Sequence, residues 1–316
     1  MKLDLSIVVP LYNEEESLPE LVEWIERVCK LHNYTHEVIM IDDGSKDNSW
    51  EVITTLAMQY PAVKGIRFQR NYGKSPALHE GFKAAQGSVV ITMDADLQDS
   101  PDEIPELYNM IINDGYDLVS GWKKVRYDNA VTKNLPSKLY NGVNRKISGI
   151  KLHDMNCGLK SYKKKVIKSI EVYGEMHRFI PVLAKNAGFT KIGEKVVQHK
   201  PRKYGVSKFG WERFINGFLD LLSIQFVSRF GKKPMHFFGA LGFATFLLSF
   251  FIVLYLIFER FQEGAGFGLT NKVGFYTALT AMIMGTLFFL SGFLGELVVR
   301  NAPDRNHYLI EDKIGL

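Results

Sequence analysis

At 316 residues, with a formal net charge of +5 and 46% hydrophobic residues, the chain has room for one large or two modest domains with real cores. Its two cysteines, Cys29 and Cys157, make neither a disulfide framework nor a metal cluster by spacing, which excludes the small secreted classes and points to a reducing compartment. Composition is uneven: residues 1–208 read as a soluble α/β protein, and the remainder is rich in Phe, Leu and Gly.

Met1-Lys2-Leu3-Asp4 lacks the apolar core of a signal peptide and runs into an apolar strand, Leu5 to Pro10, so the amino-terminal domain is expected to stay in the cytoplasm. After Asn13 and an acidic run, Leu18, Leu21, Val22, Ile25 and Val28 share one face of a helix from about Ser17 to Leu31. A short strand, Val38 to Ile41, ends in Asp42-Asp43-Gly44-Ser45; a helix from about Asp47 to Tyr60 and a strand near Val63 to Phe68 follow. This alternation predicts right-handed crossovers and a mostly parallel sheet, in which ligands gather at the carboxyl ends of the strands. Arg70-Asn71-Tyr72-Gly73-Lys74 then precedes a helix opened by Ser75-Pro76 and closed near Gly87. Neither G-x-G-x-x-G nor a P-loop pattern occurs, so dinucleotide and P-loop readings lose their main support.

The stretch around which the chain is organised is Val89-Val90-Ile91-Thr92-Met93-Asp94-Ala95-Asp96-Leu97-Gln98-Asp99, a buried strand that surfaces at two acids. If the extended conformation continues through Asp96, both carboxylates face the same way, with Cα atoms roughly 6 to 7 Å apart, and present two hard oxygen ligands to one cation. Aspartates after a strand are often only turn residues. Here Ser100-Pro101-Asp102-Glu103 supplies its own N-cap, first-turn proline and capping-box glutamate, which leaves Asp94 and Asp96 without a structural job. An acid pair also serves glycoside hydrolysis, but that reading needs one raised pKa and apolar surroundings that this pair lacks.

Asp114-Gly115 leads into a strand, Tyr116 to Ser120, beyond which regularity fades. From Lys123 to Lys168 the basic residues are countered only by Asp128 and Asp154. Such a field attracts phosphates on a nucleotide, a nucleic acid or a membrane, and a solvated basic face explains many of these lysines. From Phe209, apolar and aromatic residues recur at helical spacing through Phe226, the pattern of an amphipathic helix at a membrane interface or of a soluble-core helix. Met235 to Phe258 and Val273 to Gly295 are uncharged stretches long enough to span a bilayer. Basic residues flanking the pair outweigh Arg260 and Lys272 in the loop, which places both termini inside. Gly239, Gly242, Gly285, Gly292 and Gly295 would let the spans approach closely, within a chain or between chains. The domain expectation is 1–208 soluble, 209–233 interfacial and juxtamembrane, 234–300 two membrane helices (about 235–258 and 273–297), and 301–316 a cytoplasmic tail.

Ser6-Ile7-Val8-Val9-Pro10-Leu11-Tyr12-Asn13-Glu14-Glu15, then Asp42-Asp43-Gly44-Ser45, then Asp94-Ala95-Asp96-Leu97-Gln98-Asp99-Ser100-Pro101, in this order and spacing, resemble a family 2 glycosyltransferase with the Rossmann-like GT-A fold. With Asn156-Cys157-Gly158-Leu159-Lys160 and the two carboxy-terminal spans, the whole chain is similar to polyprenyl-phosphate glycosyltransferases, the group containing dolichyl-phosphate mannose synthases and bactoprenol glucosyltransferases. The resemblance implies that Asp94, Asp96 and Gln98 hold a divalent cation on the donor diphosphate, and all-oxygen ligands suit Mg²⁺ or Mn²⁺. It implies nucleoside binding by Pro10, Tyr12, Glu14 and Asp42, although Tyr12 is as readily a packing residue. Arg202 and Lys208 match a loop that closes over the donor phosphates. Arg126, Lys133 and Ser137 are the candidates for the acceptor phosphate, Lys133 standing where an arginine is more usual. Asp154 matches the aspartate proposed as base and joins Asp96 as a catalytic candidate. A phosphate monoester has a second pKa near ~6 and needs little deprotonation, so Asp154 is expected to orient more than to abstract a proton.

The expectation is a metal-dependent hexosyltransferase of a bacterial inner membrane. It would transfer one sugar, with inversion, from a UDP- or GDP-linked donor to a polyprenyl phosphate at the cytoplasmic face. Its partners are the donor, the acceptor and membrane lipid, not nucleic acid, and the glycine-rich spans permit a homo-oligomer. Two alternatives stand beside it: a membrane glycosyltransferase with another lipid or polysaccharide acceptor, against which the missing Q-x-x-R-W motif argues, and a non-catalytic lipid-binding member.

Overall fold

The computed structural model describes residues 3–124, 149–174, 176–201, 203, 234–263, 268, 272–300 and 310–315. The described residues fall into two units. One holds residues 3–203 with 310–315, and the other is the helix pair between them.

The first unit is built on one sheet. Seven of its strands are β1 (Leu5–Leu11), β2 (His36–Asp42), β3 (Val63–Phe68), β4 (Val89–Thr92), β5 (Leu118–Trp122), β6 (Lys160–Lys163) and β7 (Ile192–Val196); the eighth, β8 (Ile310–Ile314), lies beyond the helix pair. Their order is β7-β5-β6-β4-β1-β2-β3-β8. β1 pairs in parallel with β2 and β4, β2 with β3, and β5 with β7, whereas β6 runs antiparallel between β4 and β5. β1 and β2 are buried almost throughout because helices cover both faces of the sheet, which is why they read as unbroken apolar runs.

The crossovers are α1 (Leu18–Leu31), α2 (Ser49–Gln59), α3 (Lys74–Ala84), α4 (Ile104–Ile112), α5 (Lys164–Ser169) and α6 (Ile180–Asn186). α1 buries the face expected of it, Leu18, Leu21, Val22, Ile25, Val28 and Cys29, against one side of the sheet. α3 covers the other side with Ala77, Leu78 and Phe82, and its Gly81 is there because a Cβ would stand 2.4 Å from Val8 Cγ1.

Three differences from the sequence reading have physical reasons. Glu103 closes no capping box: its carboxylate pairs with Lys195 and accepts the Gln198 amide at 2.9 Å, while Ser100 Oγ alone caps the 3-10 turn Pro101–Glu103. The basic stretch is in part bound to the chain's own carbonyls. Lys168 donates to the Phe82 and Lys83 carbonyls at 2.8 and 2.7 Å and Lys164 to that of Gln86 at 2.9 Å, at the end of α3 where unpaired carbonyls gather. Finally, residues 310–314, which sequence assigns to a tail, form β8, antiparallel on the edge strand β3.

The second unit is an antiparallel pair, α7 (Pro234–Glu263) and α8 (Val273–Arg300). Both are long and apolar enough to cross a membrane, over Pro234–Gln262 and Val273–Gly295. Phe243, Leu248, Phe251, Leu290 and Leu294 are at least half exposed, a surface suited to lipid rather than water. The seam is made by glycine: a Cβ on Gly242 would meet Gly285 O at 2.5 Å, and one on Gly285 would meet Gly242 O at 2.8 Å. The segment 209–226, read as amphipathic, lies outside the described residues.

Candidate active site

Because β1, β2, β3 and β4 are parallel, their carboxyl ends share one edge, and β1 sits between β2 and β4. Pro10 lies near the end of β1 with Tyr12 and Glu14 just beyond it, Asp42 ends β2, and Asp94 and Asp96 follow β4, so the sequence candidates from three separate motifs meet at one sheet edge.

The β1 and β2 tips form a polar framework in which side-chain oxygens accept backbone amides, with Arg67 Nε 3.8 Å from Asp42 Oδ2. Asp42, fully buried, accepts the Ser45 amide at 2.8 Å, and Ser45 Oγ accepts the Asn13 amide at 2.9 Å. Asn13 in turn takes the left-handed conformation, φ 53°, that its short amide side chain tolerates, and its Oδ1 accepts the Lys46 amide at 2.8 Å. The Glu14 amide donates to Ser49 Oγ at 3.0 Å. Asp43 accepts the Tyr72 and Gly73 amides at 2.7 and 2.9 Å, drawing the loop after β3 onto the same edge. Burial raises the pKa of Asp42, and pushes Asp43 up to about 6 although both amides oppose it.

The acid pair is presented differently from the expectation. β4 ends at Thr92 and the chain turns at Ala95 and Asp96, with Leu97 left-handed at φ 59°, so the carboxylates project from a turn and not from alternate strand positions. Asp94 is 31% exposed, while Asp96 is nearly buried with Oδ1 accepting the Gln98 amide at 3.2 Å. The Asp94 carboxyl lies against the Gly158 backbone, where a Cβ would come 2.4 Å from Oδ2. On its other side the Lys74 ammonium donates to Oδ1. Burial works to raise the Asp94 pKa, but the charges of Lys74, Lys123 and Lys160 hold it well below the usual carboxylate range.

Around the pair lie Asp154 and two lysines to which the sequence reading gave no role at the site, Lys123 and Lys160. Lys123 forms an ion pair with the fully buried Asp99 at 2.6 Å, and burial, which would lower its pKa, is outweighed by that partner. Lys160, buried in β6, donates to the Cys157 carbonyl, and burial lowers its pKa. Cys157 is a buried thiol pushed up to about 12 by desolvation. Asp154 is buried, its Oδ1 accepting the Asn156 amide at 3.1 Å and its carbonyl accepting Ser120 Oγ at 3.2 Å. Its charge acts on Lys160, as does that of Asp94, so the two acids share one buried cation. His153, on the other side of that turn, pairs with Glu194 and stacks on Trp122 at 4.2 Å.

Arg202, Lys208, Arg126, Lys133 and Ser137 lie outside the described residues. The approach to the 202–208 segment is visible: His199 bridges Asp99, the Lys200 amide donates to Gln98 O at 2.9 Å, and Lys203 pairs with Glu20 at 2.6 Å. Among the described residues no three His, Cys, Asp or Glu side chains converge as a metal cluster. The donor set at Asp94, Asp96 and Gln98 is oxygen alone, and Asp94 already has a cationic group at Oδ1. That set fits a Mg²⁺-like ion, which uses one or two carboxylates and completes its shell with substrate phosphates.

Residues 6–171 match the family described as Glycosyl transferase family 2. The dodecaprenyl-phosphate galacturonate synthase of Rhizobium johnstonii is 37% identical over 300 residues, covering 94% of this chain and 88% of its own length. The undecaprenyl-phosphate 4-deoxy-4-formamido-L-arabinose transferase of Shewanella sediminis is 34% identical over 313 residues, covering 98% and 92%. Among solved structures, mannosyl-3-phosphoglycerate synthase from Rubrobacter xylanophilus superposes with a TM-score of 0.57 at 14% identity, over 72% of this chain and 75% of that one. Glucosyl-3-phosphoglycerate synthase from Mycobacterium tuberculosis, in complex with Mn²⁺ and UDP-glucose, gives 0.53 at 20% identity, over 72% and 79%. The fold is therefore GT-A, with two apolar carboxy-terminal helices added, and the chain belongs to glycosyl transferase family 2.

Proposed function

We propose that this glycosyltransferase moves a single sugar from a nucleoside-diphosphate donor to a polyprenyl phosphate at a membrane surface, with inversion at the transferred carbon. The observation that carries the reading is the meeting, at one sheet edge, of the amide-accepting Asp42 framework and the exposed face of Asp94. Relatives alike over nearly the whole chain are named for dodecaprenyl- and undecaprenyl-phosphate acceptors, which supports the acceptor class.

In this reading Pro10, Tyr12, Glu14 and Asp42 seat the nucleoside at the tips of β1 and β2. Asp94, Asp96 and Gln98 hold Mg²⁺ or Mn²⁺, which when bound offsets the charge that grows on the leaving nucleoside diphosphate. The Mycobacterium neighbour holding Mn²⁺ with UDP-glucose is consistent with that choice. Arg202 and Lys208 close over the donor phosphates, from a segment whose start is tied to Gln98 and Asp99. Arg126, Lys133 and Ser137 take the acceptor phosphate. Asp154 is a positioning group: a buried carboxylate bound to its own turn and facing Lys160 is placed to fix charge, and a largely dianionic phosphate needs no base.

The helix pair anchors the enzyme where a hydrophobic acceptor is concentrated, which turns an encounter between soluble and insoluble substrates into a local one. Strand β8, which follows the second helix, belongs to the same sheet as the residues that precede the first. That pairing supports a hairpin whose two outer ends share one side of the bilayer, and the basic flanks favour the cytoplasmic side for both termini.

The test offers purified full-length protein a panel of UDP- and GDP-sugars with short-chain polyprenyl phosphate, diacylglycerol or no acceptor. The reading expects one donor to give a charged lipid-phosphate sugar with release of the nucleoside diphosphate. Transfer to diacylglycerol alone, or affinity for polyprenyl phosphate without turnover under any donor, would overturn it.

A further inference from the structure

Lys74 opens α3 directly after Gly73, and its ammonium donates to Asp94 Oδ1. Both partners are held from behind. Asp43 binds the Tyr72 and Gly73 amides, which pins the loop carrying Lys74, and the Gly158 backbone leaves the Asp94 carboxyl no room to withdraw. What can move is the lysine side chain itself, 33% exposed, on a flexible four-carbon stem. A divalent ion bound to Asp94 would meet that ammonium at close range, and the two like charges would repel each other. A third charge relieves the conflict: the diphosphate of a nucleotide-sugar carries anionic oxygens that accept hydrogen bonds from an ammonium displaced from Asp94.

Resting on the reading that Asp94 and Asp96 hold a divalent cation, we propose that Lys74 is a resident counter-ion of the donor site. It neutralises Asp94 while no donor is bound, gives up Oδ1 to the incoming metal, and then pairs with the donor diphosphate. The exchange makes metal and nucleotide binding cooperative, since neither charge settles well without the other, and by linkage each raises the affinity of the other by the same factor.

The experiment titrates Mn²⁺ into full-length protein in detergent, reading free Mn²⁺ by electron paramagnetic resonance, without nucleotide and with saturating UDP or GDP. Lys74→Met should bind Mn²⁺ about tenfold more tightly than wild type without nucleotide and lose most of the nucleotide-induced gain, a coupling of ordinary allosteric size. Lys74→Arg, which keeps the charge, should restore weak Mn²⁺ binding without nucleotide. Lys74→Gln carries the same prediction as Lys74→Met should the latter fail to fold. Unchanged or weaker Mn²⁺ affinity in the neutral variants, with wild type binding Mn²⁺ normally beside UDP or GDP, removes the counter-ion role and leaves the metal reading standing. No Mn²⁺ binding by nucleotide-loaded wild type removes the metal reading and this proposal with it.

Discussion

The two halves of the sheet edge use their acids in opposite ways. On the β2 side, Asp42 and Asp43 accept the backbone amides of Ser45, Tyr72 and Gly73, groups that cannot leave, and Arg67 Nε stands off at 3.8 Å from the second oxygen of Asp42. On the β4 side, Asp94 and Asp99 face the ammonium groups of Lys74 and Lys123, which sit on long side chains. Amide-bound acids fix a shape, whereas ammonium-bound acids hold a charge that can be exchanged. Under the proposed function the two kinds divide the work: a rigid cradle for the nucleoside and a labile one for the charged part.

The sharpest way to break this contrast is to remove one acid from each side. Asp94→Ala should lower turnover by about 10³-fold, the upper range for deleting one electrostatic group from a site, with little change in melting temperature. Asp42→Ala, which strands the buried Ser45 amide, should instead cost about 1–3 kcal/mol of stability. Assays of turnover and thermal unfolding on both proteins check the pair, and the reverse pattern would undo the division of labour.

A somewhat smaller effect comes from pH. Burial lifts Asp43 to about 6, above the roughly 3.9 of an unfolded aspartate, so the folded protein binds more protons between those values. Its contribution is therefore full below about pH 4 and lost as pH rises through about 6. Relative to Asp43→Asn, wild type should lose of order 3 kcal/mol across that window, two units at about 1.4 kcal/mol each. Melting curves of the two proteins from pH 4 to 7 measure it, and parallel curves would show that Asp43 does not titrate there.

Smaller again is Gly158→Ala. A Cβ placed 2.4 Å from Asp94 Oδ2 must displace the carboxyl, and a misplacement on that scale costs about 10- to 100-fold in turnover. The fold should tolerate it, because what yields is a partly exposed side chain. Full activity in this variant would mean that the position of Asp94 matters little.

Much of this was legible in sequence, for physical reasons. β1, β2 and β4 are covered on both faces and therefore read as apolar runs; β2 ends in Asp42, and Glu14 and Asp94 follow β1 and β4 within three residues. β6 was not legible, because Lys160-Ser161-Tyr162-Lys163 carries two lysines in four residues and reads as loop; it is a strand since Tyr162 fills the core and Lys160 finds carbonyl and carboxylate partners. β8, Ile310-Glu311-Asp312-Lys313-Ile314, is hidden for the same reason, being a charged edge strand that needs β3 to exist. Lys74 could not be assigned to Asp94 from spacing, because their meeting depends on Asp43 gripping the loop between them. The acid pair was found by its pattern, but the turn that presents it rests on a left-handed Leu97 that no propensity predicts.

The most direct test of the central claim is anomalous diffraction from the protein with Mn²⁺ and its nucleoside diphosphate. The account predicts one peak between the diphosphate and the carboxylates of Asp94 and Asp96, with oxygen ligands alone, as a hard cation takes. A nucleotide seated at Asp42 with no metal at the acid pair, or Mn²⁺ bound away from both carboxylates, would contradict it.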